Sequence, residues 1–227
     1  MFYDRKLVKT ADGSHSLYVE GLNEHYHSVH GALQESQHVF IKMGLNAFEQ
    51  SQTLRIYELG LGTGLNALLT SIESRDQQWN IHYTASEAYP LSLEEAASLN
   101  YGEFLGENSK DLIKIHDLAW AESVKLHPHF ALKKLQEKSQ DHKADHLYDL
   151  IYFDAFAPEK QPELWEPQVF DQMYQLLAPG GILTTYCAKG VVRRRMQASG
   201  FTVERLPGPP GKREMLRASK PLNESPN

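Results

Sequence analysis

Leu54-Arg-Ile-Tyr-Glu-Leu-Gly-Leu-Gly-Thr-Gly-Leu-Asn66 is the stretch that decides the fold of this chain. Its first residues are apolar enough for a buried strand. Beyond Gly64, the apolar residues Leu65, Leu68, Leu69 and Ile72 recur at helical spacing. A strand, a glycine-dense turn and a helix in that order form the first half of a nucleotide-binding crossover. Glycines let the backbone bend sharply there and approach a ligand that a Cβ would repel. The spacing narrows the ligand. A dinucleotide turn wants Gly-x-Gly-x-x-Gly, whereas glycine stands here at 60, 62 and 64 and the sixth position is Leu65.

On both sides of this stretch strands and helices alternate, which predicts an α/β protein of Rossmann-like type. Its sheet is expected to be open and mostly parallel, with about seven strands and an antiparallel last strand. Strand one covers 54–59, helix one 65–73, strand two 81–86 and helix two 91–99, with Pro90 near its start. Strand three is expected at 113–116. A helical pattern at 129–137 and a polar run at 138–146 lead to strand four at 148–153, which ends at Asp154. A helix at 167–177, the turn Pro179-Gly-Gly181, strand five at 182–187 and a helix at 191–198 follow. Strands at 201–206 and 214–218 flank Pro207-Gly-Pro-Pro-Gly211 and can pair antiparallel. Residues 1–50 read as an extension packed on the catalytic domain: a hairpin turning at Asp12-Gly-Ser14, then a helix over 32–48 with Leu33, Ser36, Phe40, Met43 and Ala47 on one face. The catalytic domain spans 51–220, and 221–227 reads as a flexible tail.

A length of 227 residues suits one sizeable α/β domain with additions. The N-terminus has no apolar leader, and no stretch reaches the length of a membrane span, so a cytoplasmic protein with no membrane partner is expected. The lone Cys187 fits a reducing compartment and reads as core. His25, His27 and His30 cluster, but without further ligands at zinc spacing, so no metal is expected. Net charge is −6, which argues against a general nucleic-acid binder. Yet residues 189–220 hold nine basic side chains against two acidic ones. That local excess suits either a polyanion held at one edge or a solvated helix face.

With Glu58 ahead of the first glycine, Glu-x-Gly-x-Gly-x-Gly looks more like a site for S-adenosylmethionine than for a pyrophosphate. In open parallel sheets, ligands collect at the carboxyl ends of the strands. That rule selects Gly60, Gly62 and Gly64 after strand one, Glu87 after strand two, Asp117 after the expected strand three, and Asp154 after strand four. Glu87 can accept both ribose hydroxyl protons. Asp117 can accept from the adenine amine or cap a helix. Asp154 can orient an amine nucleophile and accept its proton, directly or through water, while Phe156 and Trp165 exclude solvent.

Beyond the glycine turn, three further blocks carry a more specific resemblance. They are Glu24-His-Tyr-His-Ser28 with Gly31-Ala-Leu-Gln-Glu-Ser36, Phe153-Asp-Ala-Phe-Ala-Pro158 followed by Pro162-Glu-Leu-Trp165, and Ala188-x-Gly-x-Val-Arg-Arg194 with Gly211-Lys-Arg-Glu-Met215. In this order they resemble the methyltransferase module of the bacterial tRNA wobble-uridine modification family, MnmC. The resemblance implies a class I S-adenosylmethionine-dependent methyltransferase fold. It further implies methyl transfer to the amine of 5-aminomethyl-(2-thio)uridine at the tRNA anticodon, position 34. By the same resemblance Glu58, Gly60, Gly62, Thr63, Gly64, Asn66 and Glu87 hold the donor, Tyr26 and Glu35 line the pocket, Asp154 meets the amine, and Lys212 with Arg213 approach the RNA. The family's flavin-dependent oxidase module has no counterpart here, so a stand-alone form without flavin is expected. Two alternatives stay open: a small-amine methyltransferase or aminopropyltransferase of the spermidine-synthase type, and a non-catalytic RNA-binding module.

Overall fold

The computed structural model describes residues 4–49 and 53–222. The expected 50/51 domain boundary and residues 223–227 of the expected tail lie outside the described residues. Along the chain run β1 (Arg5–Lys9), β2 (His15–Val19), β3 (Glu24–His25), α1 (Ala32–Ser36), β4 (Leu54–Leu59), α2 (Leu65–Asp76), β5 (Ile81–Ser86), α3 (Leu93–Ala97), α4 (Tyr101–Leu105) and α5 (Ser109–Asp117). There follow β6 (Ser123–His127), β7 (Phe130–Leu135), β8 (Tyr148–Phe153), α6 (Pro167–Leu176), β9 (Leu177–Thr185), α7 (Gly190–Ala198), β10 (Thr202–Pro207) and β11 (Glu214–Ser219). The main sheet has the order β10-β11-β9-β8-β4-β5-β7-β6, and β1, β2 and β3 form a separate small sheet.

The five central strands β7, β5, β4, β8 and β9 are parallel. Their sequences explain why: both faces are covered, so both alternating sets of side chains are apolar. On β4, Ile56 joins one core with Phe40 and Leu68, while Tyr57 and Leu59 join the other with Phe170 and Met173. On β8, Leu150 and Tyr152 face the first core, Ile151 and Phe153 the second. β11 pairs antiparallel with both β9 and β10, the expected reversed strand. Cys187 is buried in the second core. Among the described residues no helix is long and apolar enough to cross a membrane.

Three expectations are corrected. The segment 113–116 is not a strand; it is the end of α5, where Leu112 and Ile115 are buried one helical turn apart and Asn108 caps the start by accepting from the Lys110 N–H. The segment 129–137 is not a helix. Its residues form β7, and with β6 it makes a hairpin at the sheet edge, giving eight strands rather than seven. Ala131, Leu132 and Lys134 favour helices in isolation, but pairing against β5 overrides that preference. The continuous helix expected over 32–48 is also broken. After α1 the turns widen into π geometry over Gln37–Lys42, and Ala47 is exposed.

Candidate active site

The parallel pairing of Leu59 with Phe153 and with Ser86 sets the ends of β4, β8 and β5 level. Gly60, Asp154 and Glu87 therefore emerge at one edge. They line a cavity of about 1060 Å3, counted to its open mouth, with Leu61, Gly62, Thr63, Asn66, Phe156 and the segment Lys138–Gln140. Its size and mixed lining suit a small organic cofactor.

The glycine turn is shaped for close approach. Gly62 has φ +52°, and a Cβ there would lie 3.1 Å from the Tyr26 ring. Gly64 has φ +74°, and its Cβ would lie 2.9 Å from His116 Nε2. Both oxygens of Glu87 are in use at the turn, accepting from the Gly62 N–H at 2.9 Å and the Tyr89 N–H at 2.8 Å. Thr63 is buried. Its hydroxyl shares a hydrogen bond of 2.7 Å with His27 Nε2, and burial pulls the His27 pKa down to about 4, so this imidazole is neutral.

Behind the turn sit the carboxyl groups. Asn66 Nδ2 donates to Glu58 Oε1 at 2.9 Å and to Asp154 Oδ2 at 2.8 Å. Glu58 is fully buried, and desolvation pushes its carboxyl well above the usual range. Burial also pushes Asp154 up to about 7; the Glu35 carboxylate adds to the rise, while the Asn66 donor and the Lys212 charge oppose it. Glu35 accepts from the Ser28 N–H at 3.1 Å and pairs with Lys212, whose ammonium rests 3.8 Å above the centre of the Tyr186 ring. Asp154 is thus half-buried, poised near neutrality and aimed at the cavity.

The N-terminal extension covers this edge. Tyr26 lies edge-on to Phe156, with ring centres 4.9 Å apart, and its hydroxyl accepts from Arg5 Nε at 3.0 Å. Arg5 also pairs with Glu95 and donates to the Tyr89 carbonyl, fixing the first hairpin to the segment after β5.

Of the residues selected from sequence, Tyr26, Gly60, Gly62, Thr63, Asn66, Glu87, Asp154 and Phe156 line the cavity, whereas Glu58, Gly64 and Glu35 lie behind that lining. Asp117 is an exposed residue ending α5, outside the cavity lining, because the strand that was to carry it is a helix. The true neighbour of β5 is β7, and the residues beyond its end, Lys138, Ser139 and Gln140, occupy the place assigned to Asp117. Ser139 Oγ bonds Ser86 Oγ at 2.6 Å there. Trp165 is wholly buried and braces Phe156 from behind, donating from Nε1 to its carbonyl at 2.7 Å. Lys212 is turned inward to Glu35, while Arg213 is exposed. Sequence reasoning missed His27, Arg5 and Tyr186. His27 stood inside a quoted block, but nothing in its spacing marked Thr63 as its partner. Among the described residues no group of three or more His, Cys, Asp or Glu side chains is placed to hold a metal ion.

Pairing resolves the basic segment. Lys189 pairs with Glu159, Arg195 with Glu166, Arg205 with Glu214, Lys212 with Glu35 and Arg217 with Glu204. Lys220 donates to the Tyr174 and Leu177 carbonyls. Arg193, Arg194 and Arg213 have no ion pair among the described residues. Since β10 runs in the same direction as β9, the loop carrying Arg213 and the first turn of α7 both lie at the cavity edge of the sheet.

The sequence model of a family described as S-adenosyl-L-methionine-dependent methyltransferase matches residues 100–221. A curated relative, the tRNA 5-methylaminomethyl-2-thiouridine biosynthesis bifunctional protein MnmC of Magnetococcus marinus, is 32% identical over 225 residues, covering 89% of this chain and 32% of the relative. The chain spans about a third of the length of the curated relatives it matches. Among solved structures, MnmC2 from Aquifex aeolicus matches with a TM-score of 0.78 at 22% identity, covering 98% of this chain and 73% of that one. Spermidine synthase from Thermotoga maritima matches with a TM-score of 0.62 at 14% identity, covering 98% and 71%. These two likenesses establish the shared fold.

Proposed function

The chain belongs to the S-adenosyl-L-methionine-dependent methyltransferases, and from that premise we propose that it methylates the amine of 5-aminomethyl-(2-thio)uridine at the wobble position of tRNA, giving the methylaminomethyl product. The single observation that carries this reading is Asp154: a half-buried carboxyl, raised to about 7, facing the cavity beside the glycine turn. The substrate is suggested by the relatives named MnmC.

The cradle fits the donor. Gly62 holds a positive φ in which a Cβ would crowd the Tyr26 ring, Glu87 follows β5 with both oxygens at the turn, and Lys138–Gln140 close the far side. When bound there, S-adenosylmethionine supplies an electrophilic methyl carbon on a sulfonium. The residues of this chain handle the amine. An aliphatic ammonium titrates near roughly 10, about six units above an ordinary carboxylate. At about 7, Asp154 narrows that gap to about three units and remains largely ionised at mildly alkaline pH. It therefore holds the ammonium, takes its proton and leaves the nitrogen lone pair free to bond. Tyr26 and Phe156 flank the amine and keep water out. Arg193, Arg194 and Arg213 provide the uncompensated positive charge for the RNA backbone. The enzyme would act in the cytoplasm, with tRNA as partner.

Incubating the protein with labelled donor and tRNA bearing aminomethyluridine, then analysing nucleosides by mass spectrometry, tests the reading. Gain of one labelled methyl on that nucleoside is expected. No gain, or formation of spermidine from putrescine and decarboxylated donor, refutes it.

A further inference from the structure

Two carboxyl groups share one amide in the site. Asn66, in the first turn of α2, directs its amide nitrogen at Glu58 Oε1 and Asp154 Oδ2, which engages both of its N–H hydrogens. Glu58 has 0% exposed surface and no cation in ion-pairing range among the described residues. Its second oxygen, Oε2, has no hydrogen-bond partner. An ionised carboxylate so placed would hold a full charge away from water with only neutral groups, the Asn66 amide and the Tyr83 hydroxyl, to offset it. A neutral acid avoids that cost: its carbonyl oxygen accepts from Asn66 and its proton rides on Oε2, with the buried Tyr83 side chain neighbouring the carboxyl group.

We propose that Glu58, as the neutral acid, and Asn66 form a positioning pair for the methyl transfer, in which Glu58 fixes the amide and the amide fixes Asp154 by holding Oδ2. Oδ1 is then the oxygen left to the substrate amine. The inference rests on the reading of Asp154 as the group that meets the amine. Without the acceptor on Glu58, the Asn66 amide is free to turn its own oxygen toward Asp154, setting lone pair against lone pair. The other charged or titratable groups around Asp154 are Glu35 from α1, Lys212 before β11, Tyr186 after β9, Tyr83 on β5 and Tyr101 on α4. Lys212 is already paired with Glu35, so Asn66 is the group that directly binds the Asp154 carboxyl.

Carbon-13 NMR of protein labelled at Asp and Glu carboxyls tests the pair without any substrate, with assignments taken from Glu58→Gln and Asp154→Asn. Glu58 should keep the shift of a protonated acid from pH 5 to 8, while Asp154 titrates with a midpoint of about 7. Ionisation of Glu58 anywhere in that range overturns the proposal. In kinetics, Glu58→Ala should lower kcat about tenfold or more with little change in the donor KM, and Glu58→Gln, which keeps a neutral acceptor, should recover most of the loss. Asn66→Ala should lower kcat and move the midpoint of the rate–pH profile up by about one unit, because a donor to the ionised form is gone. If Glu58→Gln is as impaired as Glu58→Ala, or the Asn66→Ala midpoint stays in place, the pair is refuted. Turnover retained in Asp154→Asn would instead overturn the reading of the site, while the NMR titration would still report on the pair.

Discussion

Asp154→Asn should abolish methyl transfer and make the protein more stable above pH 7. The magnitude follows from where Asp154 sits. Its ordinary value is 3.8 and burial lifts it to about 7. That is a rise of about three units at about 1.4 kcal/mol each, or about 4 kcal/mol. The sign follows from proton binding. Between about pH 4 and 7 the folded protein holds this proton and the unfolded chain does not, so raising the pH favours unfolding. The contribution is fully present below about pH 4, is lost as the pH climbs to about 7, and stays lost above it. Asparagine is close to isosteric and has no proton to lose, so its variant escapes the decline. For a chain of this length 1 kcal/mol corresponds to about 2–4 °C in Tm, which places the variant about 10 °C above the wild type at pH 8 relative to their difference at pH 4. Thermal melts of both proteins at unit steps from pH 4 to 9 measure this. Titration of every other group largely cancels in the difference between the two curves. A difference that is flat with pH, or that shrinks as pH rises, would show that Asp154 is not held near neutrality by burial.

Methylation rates at saturating donor should rise about tenfold per pH unit below about 7 and level off above, as Asp154 becomes a carboxylate; initial rates from pH 5.5 to 9 check this, and a flat profile counts against it. Glu87→Ala removes the acceptor for the Gly62 and Tyr89 N–H groups and should weaken donor binding about 10- to 100-fold by calorimetry; unchanged affinity would take Glu87 out of the donor site. Replacing Arg193, Arg194 and Arg213 together by Gln should flatten the slope of log affinity against log salt for tRNA by about 2, as expected for three lost contacts to single-stranded phosphates. Filter binding measures the slope, and an unaltered value would move the RNA to another face.

The centre of the sheet was legible because parallel strands buried on both faces are rich in apolar and aromatic residues on both alternating sets of positions. Leu54–Leu59, Ile81–Ser86 and Tyr148–Phe153 end where expected, so Gly60, Glu87 and Asp154 fall on one edge. The edge of the sheet was less legible. Phe130–Leu135 is made of residues that favour helices, and only contact with β5 and β6 makes it a strand. Two local signals did mark the region: the alternation Ser123-Val-Lys-Leu-His127, and Asn108 as a cap ahead of Leu112 and Ile115. Misplacing that one strand was enough to misplace Asp117, since the rule that ligands gather at strand ends is only as good as the strand. Pairings were out of reach for a different reason. Nothing in the spacing of Glu35 and Lys212, 177 positions apart, says that they meet.

Those pairings decide which of the buried acids keeps an adjustable charge. Asp154 lies close to two other carboxyl groups, Glu35 and Glu58, and Lys212 is the cation that acts on Glu35 and Asp154. The fold commits that cation to Glu35. Gly211, at φ +84°, packs so tightly on His30 that a Cβ would lie 2.2 Å from its ring, which ties the loop carrying Lys212 down toward α1. Glu35 also has the Ser28 N–H, so its charge is compensated twice. Glu58 has only neutral neighbours, the Asn66 amide and the Tyr83 hydroxyl, and no solvent, which drives it to the acid form. Asp154 is left between the two: one donor, no direct cation, and an opening to the cavity. It is therefore the carboxyl whose charge remains adjustable, and an incoming ammonium is the partner that would complete it. A lysine turned inward to set that balance is no longer available to phosphates. Within the segment 189–220 that leaves Arg193, Arg194 and Arg213, which have no ion pair among the described residues.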